Sequence, residues 1–161
     1  MKKLLLLVLV MALPALAAWK EYLNAQAGFR ASYPEKVVQS RVEDVIWYTG
    51  GDFSIGVLPR TWAKSRYGLL KDFTSKGPDW AKGNLARTEI EVDGLPGLEL
   101  SGVSQKGGPV LMHLVSTPMG GYAIVGASYD MKENLQFVDS FRFVKPMATR
   151  PMAPKKPAAT K

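Results

Sequence analysis

The sequence predicts an α+β sandwich, a mainly antiparallel sheet with one longer and one short helix. Three observations point there. Apolar residues recur with period two along most of the chain, which is strand spacing. A 3.6-residue period occurs in only two segments, 60–76 and 130–140. Both follow runs of strands instead of alternating with single strands, an order that suits an antiparallel sheet covered by few helices.

The chain opens with Lys2 and Lys3, an apolar run from Leu4 to Leu13, Pro14, and the small-x-small sequence Ala15-Leu16-Ala17. This is the three-part form of a secretory signal peptide. The run is too short for a resident transmembrane helix, which takes about 20 residues. Cleavage is expected after Ala17 or Ala18, and with no Cys near the site a lipid anchor is excluded. A periplasmic location follows as the expectation. Residues 18–27 read as an N-terminal linker, 28–144 as a single domain, and 145–161 as a disordered basic Pro/Ala/Lys tail. A domain of that length buries a core without disulfides. The absence of Cys suits a bacterial periplasmic protein better than a eukaryotic secreted one.

Within the domain, Phe29, Ala31 and Tyr33 alternate with Arg30 and Ser32 in a strand that Pro34 ends. Val37 to Val42 fits either a loop or a ragged edge. Glu43 to Tyr48 and the alternating Phe53, Ile55 and Val57 flank Thr49-Gly50-Gly51-Asp52, which reads as a β-hairpin. Trp62, Leu69, Leu70 and Phe73 then share one side of a helix that Gly68 weakens and Gly77-Pro78 stops. Trp80 reads as a plug for one end of the core.

A four-strand meander follows. Ala86 to Val92 leads into a turn from Asp93-Gly94 through Gly97, then come Leu98 to Val103, Val110 to Ser116, and Tyr122 to Ala127. Asp130 and Glu133 have capping-box spacing and open a short helix whose buried side is expected to hold Met131, Leu135 and Val138. Ser140 to Phe143 closes the domain as a strand with its aromatics inward.

Three stretches carry a resemblance to a known fold group: Gly28-Phe29-Arg30-Ala31-Ser32-Tyr33-Pro34, Glu91-Val92-Asp93-Gly94-Leu95-Pro96-Gly97-Leu98-Glu99, and Phe137-Val138-Asp139-Ser140-Phe141-Arg142-Phe143. With the order of elements they resemble the PsbP/Mog1-like sandwich, shared by uncharacterised exported bacterial relatives. The likeness covers residues 28–144. It implies a binding or accessory role without a shared catalytic site, and it transfers no functional residue to this chain.

Charge location excludes a nucleic-acid-binding fold. The net charge is +7, but of 21 basic residues Lys2 and Lys3 leave with the leader and five lie in the tail, at Lys145, Arg150, Lys155, Lys156 and Lys161. Residues 18–144 keep 14 basic against 14 acidic residues, with no sign of a basic stripe. The tail could make weak, salt-sensitive contact with an anionic membrane surface or an acidic partner, or serve as an inert solubilising end.

The residues offer no catalytic, cofactor or metal constellation. His113 is the only histidine, and it faces away from Met112 and Leu114 as a partly exposed strand residue. Zinc takes three or four protein ligands, and no Cys is present to supply them. Gly126-Ala127-Ser128-Tyr129-Asp130 matches a nucleophile elbow only in part. Glu89, Glu91 and Asp93, with Glu99 across the hairpin, read as a solvated acidic row. Gly50-Gly51 and Gly107-Gly108 are turn residues without dinucleotide spacing.

Tyr22, Tyr48, Tyr67, Trp80 and His113 are the candidates for a partner or ligand surface, since aromatic residues favour interfaces. The expectation is a non-enzymatic periplasmic accessory or binding protein. It would present a sheet face or end loops to a protein partner, such as an envelope protein, or to a small ligand. The alternatives are a small hydrolase acting on envelope material, which needs His113 in a pocket, and a carrier with a deep aromatic-lined cavity.

Overall fold

The computed structural model describes residues 18–59, 81–118 and 120–145. The leader, the helix expected between Pro59 and Gly77, and the tail beyond Lys145 lie outside the described residues, as do Tyr67 and Trp80. The elements are β1 (Lys20–Asn24), β2 (Phe29–Tyr33), β3 (Val38–Val42), β4 (Val45–Gly50), β5 (Phe53–Leu58), β6 (Ala81–Val92), β7 (Leu95–Ser104), β8 (Pro109–Thr117), β9 (Gly120–Gly126), α1 (Met131–Ser140) and β10 (Arg142–Phe143). They form a three-stranded sheet, β1-β2-β10, and a seven-stranded sheet, β3-β4-β5-β9-β8-β7-β6. Among the described residues every strand pairing is antiparallel.

Period two decides which side chains meet. In the small sheet Phe29, Ala31 and Tyr33 are buried while Arg30 is exposed. Register puts Tyr22 opposite Ala31 and Phe143 opposite Phe29, so both join that inner face. In the large sheet, one row across the strands runs Gln39, Tyr48, Ile55, Ile124, His113, Glu99 and Thr88. Its middle faces the small sheet and α1, where Tyr48, Ile55, Ile124, Leu111, Val115 and Phe137 share one core. The opposite face carries a second core built on Val45, Leu58, Leu98, Leu100, Met112 and Leu114.

Ten aromatic residues fill the space between the sheets. Phe29 stacks on Phe141 at 6.0 Å, Phe53 meets Trp19 and Phe137 at 4.9 Å each, and Tyr122 lies 5.3 Å from Phe143. Offset and edge-on pairs of this kind add about 0.5–1.5 kcal/mol each beyond the area they bury.

Several expectations change. The 18–27 linker contains a strand, β1, and Trp19 before it packs on Phe53. Its residues read as polar because β1 is an edge whose outward Leu23 is 57% exposed and whose single large inward residue is Tyr22. The turn after Val92 is only Asp93-Gly94, and β7 already begins at Leu95. Both turn residues have positive φ, 50° and 82°, the conformation a two-residue hairpin loop demands and one that Gly and Asp tolerate. Of the two readings of Val37 to Val42, loop or ragged edge, the second holds, since Val38–Val42 is an exposed edge strand; β6 starts at Ala81 instead of Ala86.

The buried side of α1 is Asn134, Phe137 and Val138, whereas Met131 and Leu135 are 37% and 44% exposed. The cause is close packing on β9. A Cβ at Gly126 would sit 3.0 Å from the Asn134 Cα, so the helix rests directly on that strand. The helix start also differs from a simple capping box. Asp130 accepts from the Lys132 N–H at 2.8 Å, but Glu133 reaches the cap through Ser128. Ser128 Oγ accepts from the Asp130 N–H at 3.2 Å and donates to Glu133 at 2.6 Å.

Candidate functional site

Of the expected surface residues, Tyr48 belongs to the core. It is 5% exposed, its carbonyl accepts from the Tyr33 hydroxyl at 3.0 Å, and its ring lies 5.2 Å from Phe29. The alternation that placed Trp47 and Tyr48 on opposite faces holds, but the face of Tyr48 is the one the small sheet covers. Tyr22 is half-buried at the rim of the same cluster, 6.0 Å from Tyr33 and 6.2 Å from Tyr48, and borders a shallow recess of about 420 Å³ with Pro34 and Lys36. Burial raises the pKa of Tyr33, Tyr48 and Tyr122 above the ordinary phenol value. Their hydroxyls stay protonated, and those of Tyr33 and Tyr122 serve as donors to backbone carbonyls.

His113 departs from its expected exposure. It is 8% exposed, and its Nε2 lies 3.1 Å from Glu99 Oε2. Register makes the contact: Glu99 pairs with His113, so the two side chains leave the same sheet face side by side. Glu99 is thereby separated from Glu89, which pairs with Leu98 on the opposite face. The acidic row of the sequence is thus divided between different surroundings.

His113 forms one wall of a recess of about 540 Å³ with Glu91, Asp93, Asp139, Phe141 and Arg142. The recess lies where the β6–β7 turn meets the end of α1. Asp93 joins the two directly, accepting from the Phe143 N–H at 2.7 Å. Arg142 Nη1 donates to the carbonyls of Asp139, in the last turn of α1, and of Phe141, just beyond it, each at 2.6 Å. A third recess, about 530 Å³ and more apolar, is bordered by Val57, Leu95, Tyr122, Phe143 and Val144.

Ser128, the centre of the partial nucleophile elbow, is 7% exposed and engaged with Glu133 and Asp130 at the helix start. His113 has Glu99 beside it, and among the described residues no serine lines its recess. Among the described residues no group of three or more His, Asp or Glu side chains is placed to hold a metal ion. No helix among them is long and apolar enough to cross a membrane.

Sequence reasoning missed Asn134, which is wholly buried, and the exposed group Tyr129, Met131 and Leu135. The signal for the latter was present: Met131 and Leu135 are four residues apart on a helix, but helical period alone does not say which apolar stripe faces the core.

The arrangement of two antiparallel sheets and a C-terminal helix has a solved counterpart. The solution structure of cyanobacterial PsbP (CyanoP) from Synechocystis sp. PCC 6803 superposes with a TM-score of 0.50 at 13% identity, covering 79% of this chain and 93% of that one. The fold is PsbP-like. No family model matches the chain, and no curated protein matches it. At that identity the PsbP-like likeness concerns the fold alone.

Proposed function

We propose that this is an exported, periplasmic accessory protein without catalytic activity, which presents one end of its PsbP-like sandwich to a protein partner. One observation carries the reading. At the N-terminal end of α1, Tyr129, Met131 and Leu135 are 70%, 37% and 44% exposed. The Tyr129 ring lies against Gly108, and its hydroxyl donates to the Lys106 carbonyl at 3.3 Å, joining the helix start to the β7–β8 turn. Val103, 46% exposed, leaves the same sheet face near that turn. Several apolar side chains grouped at one end of a domain mark an interaction surface more often than scattered ones do.

The leader grammar supports export, and the even charge of the domain argues against a nucleic-acid partner. The ring-filled space between the sheets leaves little room for an apolar cargo, which disfavours the carrier reading.

The test is affinity capture from crosslinked native envelope, using mature protein beside a version ending at Val144 and a Tyr129→Ser/Leu135→Ser variant. The reading expects one partner recovered with the first two and lost with the third. Recovery of no specific partner with any of them contradicts it. Loss on truncation alone moves the contact to the basic tail.

A further inference from the structure

We propose that the chain forms a two-fold dimer by pairing strand β3, edge to edge and antiparallel, with β3 of a second copy. The proposal uses a different element from the α1 patch and stands independently of the partner reading. Among the described residues β3 ends the seven-stranded sheet, with β4 on one side only. All five of its residues are exposed, Val38 and Val42 at 62% and 59%, so side chains on both faces of the strand are open to solvent.

The backbone of β3 is arranged to pair outward. The two-residue loop Glu43-Asp44 makes Val42 and Val45 the closing hydrogen-bonded pair of the β3–β4 hairpin. Alternation then turns the N–H and C=O groups of Val38, Ser40 and Val42 towards β4, and those of Gln39 and Arg41 away from it. Bulges and prolines protect many edge strands from pairing. Here the register runs through all five residues without a bulge, and the strand holds no Pro. Arg41 is its single charge, and Arg41 Nε donates to the Glu43 carbonyl at 3.3 Å.

The pattern Val38-Gln39-Ser40-Arg41-Val42 selects both the occupant and the register. Any extended segment could meet the backbone groups, but this order of side chains is complementary to itself. With the two-fold axis at Ser40, Val38 of each copy lies opposite Val42 of the other, and Gln39 opposite Arg41. Gln39 and Arg41 carry the outward backbone groups, so each such pair exchanges both N–H···O bonds. The Gln39 side-chain carbonyl can accept from the facing guanidinium. The valines fall in the non-hydrogen-bonded pairs, where side chains stand closest. An axis at Arg41 would set two guanidiniums directly opposite each other, which is destabilising. An axis at Gln39 would set Val42 opposite Lys36 instead of a valine. The Ser40 axis also brings Lys36 to the end of the pair where Glu43 and Asp44 of the second copy lie, so opposite charges meet at both ends.

The experiment uses residues 18–161 and measures association by sedimentation over a wide range of concentration, followed by mild oxidation of single-cysteine variants. The expected result is a reversible, concentration-dependent dimer. Val38→Lys/Val42→Lys sets like charges opposite each other and should weaken it by roughly tenfold or more, whereas Val38→Glu/Val42→Lys sets opposite charges together in this register and should retain it. The sequence has no Cys, so an introduced thiol can pair only with its own copy. Ser40→Cys should give a disulfide-linked dimer, because directly opposite non-hydrogen-bonded residues have Cα atoms about 4.5 Å apart. Val42→Cys should not, because its two copies would lie about 13 Å apart along the strands. All the substituted positions are exposed, and an unchanged urea midpoint verifies that each variant keeps the fold. A chain that stays monomeric at every concentration, leaving the edge to an extended segment of another protein, overturns the proposal. So does a dimer that Val38→Lys/Val42→Lys leaves intact, or equal crosslinking from positions 40 and 42.

Discussion

Asn134 holds both backbone groups of Ser128: its Oδ1 accepts from the Ser128 N–H at 2.8 Å, and its Nδ2 donates to the Ser128 carbonyl at 3.0 Å. The same Nδ2 reaches the Pro109 carbonyl at 3.3 Å. One buried amide therefore fixes the connection from β9 into α1 and ties it to the start of β8. Truncation would leave buried backbone groups unmatched, at about 1–3 kcal/mol each. Asn134→Ala is expected to destabilise the protein by roughly 2–4 kcal/mol in urea unfolding.

The two sides of α1 should respond differently to substitution. Phe137 is fully buried between Tyr33 and Phe53, at ring distances of 5.0 and 4.9 Å. Phe137→Ala should cost about 3–5 kcal/mol. Met131→Ser and Leu135→Ser, on the exposed side, should stay within roughly 0.5 kcal/mol of the parent. Urea midpoints of the three variants check this.

The link from Asp93 to the Phe143 N–H joins the β6–β7 turn to the last strand. Asp93 also adopts a φ of 50°. Asn tolerates that conformation and keeps an acceptor, so Asp93→Asn should lose less than about 1 kcal/mol. Asp93→Val loses the acceptor and adds backbone strain of roughly 1–3 kcal/mol. Hydrogen exchange at the Phe143 amide should rise far more in the Val variant than in the Asn variant.

Stability should fall in alkali. Burial raises the pKa of Tyr33, Tyr48 and Tyr122 in the folded state above the ordinary value of 10.0. The folded state then holds these protons more tightly than the unfolded one. Their contribution is fully present below pH 10.0 and is lost as the pH rises through the folded values. Urea midpoints should therefore decline above that pH. Phenolate absorbance should show these three tyrosines ionising together with unfolding.

Much of the fold was legible from alternation. Phe29-Ala31-Tyr33, the hairpin at Gly51-Asp52 and the meander from β6 to β9 all follow from period two and turn chemistry. Periodicity failed where depth, not period, decides burial. Tyr48 alternates correctly but lies under the small sheet, and Met131 and Leu135 form a helical stripe that close packing at Gly126 turns outward. β1 was hidden because an edge strand needs few apolar residues. Of the candidate site, the sequence marked His113 and the acidic residues. Their grouping with Arg142 depends on the turn at Asp93 meeting the end of α1, a contact between residues 50 positions apart. Local patterns do not encode such a contact.

The central claim is that the protein works by offering the α1 end of the sandwich to a partner. Site-specific photo-crosslinking in the native host tests it most directly, with the crosslinker at Leu135 and, as control, at Leu23, which is 57% exposed on the outer face of the small sheet. The account predicts one discrete adduct from position 135 and none from position 23. No adduct from position 135, or the same adducts from both positions, would contradict it.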